Sequence, residues 1–311
     1  MNIVILSTYD YAGSGWRIAQ AIRKYTNHNV LHVITRKHQY GYQTDYTLNR
    51  TNIHEVARAI EKADIIHFKG DEPPVREWHG LRIPDRKIVV TVGGSAFRRK
   101  KWPINRYVDR SDLRTALSPD LNYPEFKSYY TPYVIHSEKE VSTWSLKTPF
   151  KIGYYASSNK RKGVESHVLP ALEVLKKEYP FEVVRIKGMS YEESLNAKKN
   201  LTILIEQISV AGCYGNSGVE AMQFGVPVIA YLSERSLEQA KGTQFVNSPV
   251  LNPGPKIGGL VDLLRKILSK KIDLEKVSKD SKEYCDSFHG YRSNAKLWDK
   301  LYKSLFEGLL S

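Results

Sequence analysis

The sequence predicts an α/β protein of two domains, each a parallel sheet wound with helices, with the two sheets facing a central cleft. Three observations carry this expectation. Short apolar runs alternate with helically spaced apolar positions from the first residues onward, and the same rhythm restarts near residue 151. The chain has 311 residues, 41% of them apolar and 26% charged, which is a foldable composition long enough for two ordinary domains.

The run IVILS (3–7) reads as a first strand. It ends in a turn holding Gly13 and Gly15 and leads into WRIAQAIRKY (16–25), where Ile18, Ala21 and Ile22 recur at helical spacing. VLHVIT (30–35) is a second strand, and a helix is expected over 53–62. The strands DIIHF (64–68) and IVVTV (88–92) follow, the second ending at Gly93 and Gly94. Residues 97–131 are aromatic, basic and less regular, and PYVIHS (132–137) reads as one more buried strand. A boundary is expected in TWSLKTPF, dividing an N-terminal domain, 1–148, from a C-terminal domain, 149–290. In the second half KIGYYAS (151–157), FEVVRIK (181–187), LTILIEQI (201–208) and VPVIAY (226–231) are strands. Helices are expected over 164–177, 257–270 and 276–287. In the closing segment, 291–311, Leu297, Leu301, Leu305 and Leu309 form an apolar stripe that something must cover. Open parallel sheets bind ligands beyond the carboxyl ends of their strands, so the loops there are the expected site.

The formal charge of +14 points to an anionic partner: a nucleoside diphosphate, nucleic acid, anionic lipid or acidic polysaccharide. Residues 82–114 hold ten Lys or Arg against three Asp. Within them RRKKW (98–102) sets Arg98 and Arg99 beside Trp102, a pattern suited to an anionic membrane surface or simply to a solvated basic face. Cys213 and Cys285 are too few and too far apart for a structural zinc site or disulfide scaffold, so a reducing, cytoplasmic setting is the default. The N-terminus lacks a basic region followed by a long apolar run and reads as a strand. No stretch approaches 18 consecutive apolar residues, so contact with the inner face of a membrane would be peripheral.

The segment YGNSGVEAMQFGVPVIA (214–230) is the most informative. Gly215 and Gly218 permit a tight turn, Asn216 or Ser217 can cap the helix that begins there, and Gly225 ends it ahead of a buried strand. Exposed amides at the helix start can hold a phosphate. Glu220, one turn in, can accept hydrogen bonds from a ribose diol or merely complement the helix dipole.

The pattern G-x-E-A-M-x-x-G-x-P-V-I-A (218–230) is similar to the donor-binding signature of GT-B glycosyltransferases, in particular the retaining family 4 type. The resemblance implies two Rossmann-like domains, a UDP, GDP or dTDP sugar as donor, and Glu220 on its ribose. GYYASSNKRKGVESHVLPALEVLK (153–176) resembles the strand, basic loop and helix that open the family's C-terminal domain. That places Lys162 and Arg161 on the diphosphate, where they would stabilise charge on the leaving group, with Ser158 and Asn159 as phosphate donors. Tyr154 stands where the family usually has an arginine. Gly212 stands where it usually has a first glutamate, so hydroxyl recognition on the donor sugar falls to Gln207 or to the backbone of 212–215, which includes Tyr214.

LSTYDYAGSGW resembles the family's first glycine-rich loop, near acceptor and donor phosphates, with Gly13 and Gly15 shaping it and Arg17 reaching for an anion. DIIHF is similar to the family's DIIH and puts His67 at a strand end. Gly93 stands where a donor-contacting histidine is common, which leaves Ser95 as the polar contact. The last helix resembles the family's closing helix, which crosses back to the N-terminal domain.

The leading expectation is transfer of a glycosyl group from a nucleotide-diphosphate sugar to a hydroxyl acceptor, with retention, in polysaccharide or glycolipid synthesis. The basic N-terminal half favours an anionic or membrane-borne acceptor. Asp10 and His67 are the remaining candidate catalytic side chains, and no general base is assigned. No metal or other cofactor is expected, because no D-x-D motif sits at a strand end and basic residues can do its electrostatic work. A sugar-nucleotide epimerase of the same architecture is the alternative within enzymology. A nucleic-acid or anionic-polymer binding protein on a degenerate transferase fold is the alternative outside it, although no nucleic-acid module is visible and none is expected as partner.

Overall fold

The computed structural model describes residues 1–70, 73–99, 103–135, 142–155, 163–208 and 211–309, with backbone only at Ser95 and Ala96. The chain divides into two units, Met1–His136 with Gly290–Ser311, and Ser137–His289.

Unit 1 runs β1 (Asn2–Tyr9), α1 (Ser14–Tyr25), β2 (Asn29–Arg36), β3 (Tyr46–Thr47), α2 (Ile53–Glu61), β4 (Ile65–Gly70), and the hairpin β5 (Glu77–Trp78) and β6 (Leu81–Arg82). After these come β7 (Lys87–Val92), the short helices α3 (Ser95–Arg98) and α4 (Asn105–Val108), β8 (Leu113–Ala116) and β9 (Tyr129–Tyr130). The seven-stranded sheet has the order β3-β2-β1-β4-β7-β8-β9, and every neighbouring pair is parallel.

The pleat sends alternate residues of β1 to opposite cores. Ile3 and Ile5 pack with Ile18 and Ile22 of α1, whereas Val4 and Leu6 pack with Val56 and Ile60 of α2. Both faces are covered, so the strands read as unbroken apolar runs.

The terminal helix, Tyr291–Phe306, belongs to the α1 side of unit 1. Its buried face is Ala295, Trp298, Leu301, Tyr302 and Leu305, not the four-residue leucine series, because a 3.6-residue period carries a strict spacing of four off the face. Leu297 is only half-buried, and Leu309 lies beyond the helix end and is 70% exposed. Of PYVIHS, residues 132–135 are described, and they form no strand. Val134 and Ile135 are buried, but pairing is confined to a single bridge from Ile135 to Gly290, and Pro132 offers no amide to a ladder.

Unit 2 runs β10 (Lys151–Tyr155), a π-helical turn over Val164–Val168, α5 (Leu169–Lys176), β11 (Glu182–Ile186), α6 (Tyr191–Lys199) and β12 (Ile203–Gln207). It continues with α7 (Asn216–Met222), β13 (Val228–Ala230), α8 (Glu234–Gln239), α9 (Ile257–Leu268) and α10 (Leu274–Tyr284). Its four parallel strands have the order β11-β10-β12-β13. Ile152, Ile203, Ile205 and Ile229 of the sheet pack with Leu172 and Leu175 of α5 and with Leu260, Leu264 and Ile267 of α9. Ser190 and Glu193 close a reciprocal capping box on α6.

Strand order fixes where each sheet opens. In unit 1 the chain winds outward from β1 to β3 and resumes on the other side at β4. In unit 2 it goes from β10 to β11 and returns past β10 to β12. The crevices at the carboxyl ends of β1 and β4, and of β10 and β12, are therefore the topological switch points.

Candidate functional site

At the switch point of unit 2 the turn entering α7 is held from β12. Glu206 is 1% exposed and accepts a hydrogen bond from the Gly215 amide at 3.0 Å. A Cβ on Gly215 would stand 3.1 Å from the same carboxylate. Gln207 donates its side-chain amide to the Cys213 carbonyl. Gly212 has φ +58°, and a Cβ there would lie 2.3 Å from Ser233 Oγ, so the position admits only glycine.

Helix α7 starts at Gly215 with no side-chain cap, and Gly218 lets it approach Val228 of β13. Glu220 is buried on it: Oε2 accepts from Lys198 Nζ at 2.5 Å and Oε1 from Asn216 Nδ2 at 2.6 Å. Lys198 is 1% exposed and its ammonium lies 5.3 Å from the ring centre of Tyr155, at the carboxyl end of β10. Two buried charges tolerate desolvation only as a pair. Ser217 is also buried, and its Oγ has no hydrogen-bond partner among the described residues.

Gly163, at φ +71°, packs so closely that a Cβ would sit 2.0 Å from the Ile208 carbonyl oxygen, setting the start of the π-helical turn against the residue that follows β12. Lys162, Arg161, Ser158 and Asn159 lie outside the described residues. The side chain of Tyr214 is taken up within unit 2, which leaves its backbone for the turn. Its hydroxyl is 2.5 Å from that of Tyr284 and 3.1 Å from His289 Nε2, and its ring stacks on Phe245.

At the switch point of unit 1 the carboxylate of Asp10 is buried. Oδ1 accepts the Gly15 amide at 2.9 Å and Oδ2 the Trp16 amide at 3.1 Å. The amides of Gly15 and Trp16 at the start of α1 are therefore occupied. Lys69 Nζ donates to Asp10 Oδ1 at 2.9 Å and to the Tyr11 carbonyl at 3.2 Å, and His32 Nε2 stands 3.6 Å from Asp10 Oδ2. Burial by itself would raise the Asp10 pKa. Lys69, His32 and the hydrogen bonds from Lys69 and Gly15 outweigh it and hold the group at about 2.

Gly15 is required by packing, since a Cβ would lie 2.7 Å from His32 Nε2, and Gly13, at φ +61°, by its turn and the Tyr42 ring at 3.0 Å. Arg17 is 5% exposed, buried in α1.

His67 is not at a strand end. It lies inside β4 at 0% exposure, Nδ1 bonded to the Tyr302 hydroxyl at 2.7 Å and Nε2 to Thr91 Oγ1 at 2.6 Å. Burial, then Lys69 and His32, depress its pKa to about 3, so it is a neutral core residue with no face open to a substrate. Arg98 is bound to Asp120 and, at 3.0 Å, to Ser118, buttressing a loop, while Arg99 is exposed. The Ser95 side chain and Lys100–Trp102 lie outside the described residues.

Sequence reasoning missed Lys198 and Lys69. Each is buried because an acidic partner distant in sequence pairs with it, Asp10 with Lys69 and Glu220 with Lys198, and no local pattern marks either. Among the described residues no group of three or more His, Cys, Asp or Glu is placed to hold a metal, and no helix is long and apolar enough to cross a membrane.

The two Rossmann-like α/β units define the GT-B architecture. No protein-family model matches the chain, and no curated protein matches it in sequence. Solved structures do match along its length. It is similar to sucrose-phosphate synthase from Thermosynechococcus elongatus, with a TM-score of 0.65 and 14% identity over 99% of this chain and 100% of that one. An α-glucosyltransferase solved with UDP and a 13-mer DNA carrying an A:G mismatch matches with TM-score 0.65 and 10% identity, over 97% and 99%. The UDP-GlcNAc 2-epimerase of Neisseria meningitidis, bound to UDP-GlcNAc, matches with TM-score 0.54 and 14% identity, over 97% and 100%. At such identities the likeness establishes the fold.

Proposed function

We propose that the protein transfers a glycosyl group from a UDP-type nucleotide sugar to a hydroxyl acceptor, with the donor held at the switch point of unit 2 and the acceptor by unit 1. The observation that carries this reading is the start of α7: an uncapped helix, an unpartnered buried Ser217 hydroxyl and the fixed carboxylate of Glu220, beyond the carboxyl end of β12. Two of the similar structures hold UDP or a UDP sugar, which favours a uridine donor.

In this reading Glu220 takes the ribose hydroxyls, positioned by Lys198 and Asn216, and Ser217 donates to a phosphate oxygen. Lys162 and Arg161 face the diphosphate with Ser158 and Asn159. Gln207 is tied to the Cys213 carbonyl, so it shapes the turn, and the backbone of 212–215 reads the donor sugar. In the reaction the bond from the anomeric carbon to the diphosphate breaks and its electron pair leaves with the phosphate. The acceptor oxygen bonds that carbon and loses its proton. The resemblance to family 4 favours retention, and Gly212 marks a departure from that family at its first glutamate.

The test is a binding and turnover series on the full chain. UDP is expected to raise the melting temperature more than GDP or dTDP, and Ser217→Ala with Glu220→Gln to weaken UDP binding by about tenfold or more. No response to any of the three nucleotides sinks the reading. Interconversion of a UDP sugar without acceptor would assign the site to an epimerase. Steeply salt-dependent polynucleotide binding without nucleotide affinity would assign the fold to a binding protein.

A further inference from the structure

A groove of about 730 Å³ opens in unit 1 between the start of α1 and the chain leaving β2. Its volume falls in the usual range for a small-molecule site, roughly 300–1,000 Å³. Trp16, His38, Tyr42 and Tyr46 supply rings to its wall, and Gln43 and Thr44 supply an amide and a hydroxyl. His38 is the centre of the aromatic set, with ring centres 4.7 Å from Tyr9, 4.7 Å from Tyr40 and 5.0 Å from Tyr42. Its Nδ1 accepts the Tyr40 amide at 3.2 Å, so the neutral ring carries its proton on Nε2 as a donor. Asp45 is already engaged by Arg23 and by the His32 amide at 2.8 Å, which leaves Lys37 as the one cation of the wall among the described residues.

This chemistry fits one class of ligand. A pyranose has a C–H face that packs on aromatic rings and a rim of hydroxyls that needs short-range donors and acceptors. An anionic headgroup or a polyphosphate would need a cluster of positive charges, and this wall offers a single lysine.

We propose that the groove binds a saccharide and that the acceptor hydroxyl is carried on it: a carbohydrate acceptor, in place of the anionic or membrane-borne one that composition favours. The identification of the occupant as acceptor rests on the transferase reading, whereas the binding itself does not require a donor.

The test uses the full chain, without nucleotide, on an array of immobilised neutral and acidic oligosaccharides, with phosphatidylcholine–phosphatidylglycerol vesicles as the rival surface. Saccharide binding is expected. Trp16→Ala and His38→Ala should each weaken it by about tenfold, and Trp16→Phe by no more than about threefold. Melting temperature and UDP binding, measured on the same variants, show that they are folded. No saccharide bound, equal binding by all variants, or binding to vesicles alone overturns the proposal. UDP binding without saccharide binding removes this inference and spares the donor site; saccharide binding without UDP binding does the reverse.

Discussion

The two sheets open at equivalent switch points and finish them differently. In unit 1 the protein supplies its own anion: the Asp10 carboxylate sits on the first amides of α1 and is neutralised in turn by Lys69. In unit 2 the helix after β12 begins without a side-chain cap and buries the unpaired Ser217 hydroxyl. Every reversal of strand order leaves a crevice, whatever the protein does with it. What distinguishes the two is the start of the helix: Asp10 bonds the first amides of α1, whereas α7 has no side-chain cap and carries the Ser217 hydroxyl in its first turn. An orphaned hydroxyl contributes nothing to the empty fold that offsets its desolvation, and a ligand able to bond it supplies the missing partner.

Four measurements would break or sharpen this contrast. The largest effect belongs to Asp10→Ala, which strands Lys69 as a buried, unpaired charge and should lower stability in urea by about 3–5 kcal/mol. A loss below about 1 kcal/mol would mean the sealed end is not a stabilising element.

Acid is the second probe. His67 is held near 3 in the fold and takes up a proton at its ordinary 6.5 when unfolded, so its contribution is complete above pH 6.5 and declines as the pH falls toward 3. Between pH 7 and pH 5 the loss is about 2 kcal/mol, added to by His32, whose pKa burial also lowers. Asp10 acts lower still, its contribution present above 3.8 and lost toward about 2. Urea midpoints at pH 7 and pH 5 measure the first step, and His67→Gln should flatten it.

Third, Gly212→Ala forces a side chain into a left-handed backbone against Ser233 and should cost about 1–3 kcal/mol by the same urea titration. Smallest in stability is Ser217→Ala, expected to change the empty protein by about 0.5 kcal/mol or less, or to stabilise it slightly. Calorimetry should nevertheless show UDP binding weakened severalfold. If the variant loses stability and keeps its UDP affinity, unit 2 is sealed as well and the contrast fails.

Most of the sheet was legible because strands buried on both faces spell themselves as apolar runs; β1, β2, β7 and β12 fall within two residues of their expected spans. The run DIIHF was read two residues short at its end for a physical reason. Lys69 looks like the end of a buried strand, yet Asp10 neutralises it, so pairing with β7 continues to Gly70 and His67 moves to the interior. The glycine turn, Glu220 and the approach of α7 to the sheet were readable as local chemistry. Lys198 was not, because a lysine in YEESLNAKKN reads as solvated unless its partner, 22 residues further on, is known. The same limit applies to the basic cluster: nothing near Arg98 in sequence announces Asp120, which claims it.

The close approach of Gly212 and Ser233 also bears on how this chain can change. Ser233 is the N-cap of α8, its Oγ accepting the Ser236 amide at 3.2 Å, so clearing space at 212 first sacrifices a cap worth about 1 kcal/mol. Even then any new side chain at 212 would inherit a φ of +58°. A glutamate at this position is thus not one substitution away but behind an ordered pair, the first of which is unfavourable by itself. Change in this turn has easier routes at neighbouring positions whose backbone already accepts a side chain.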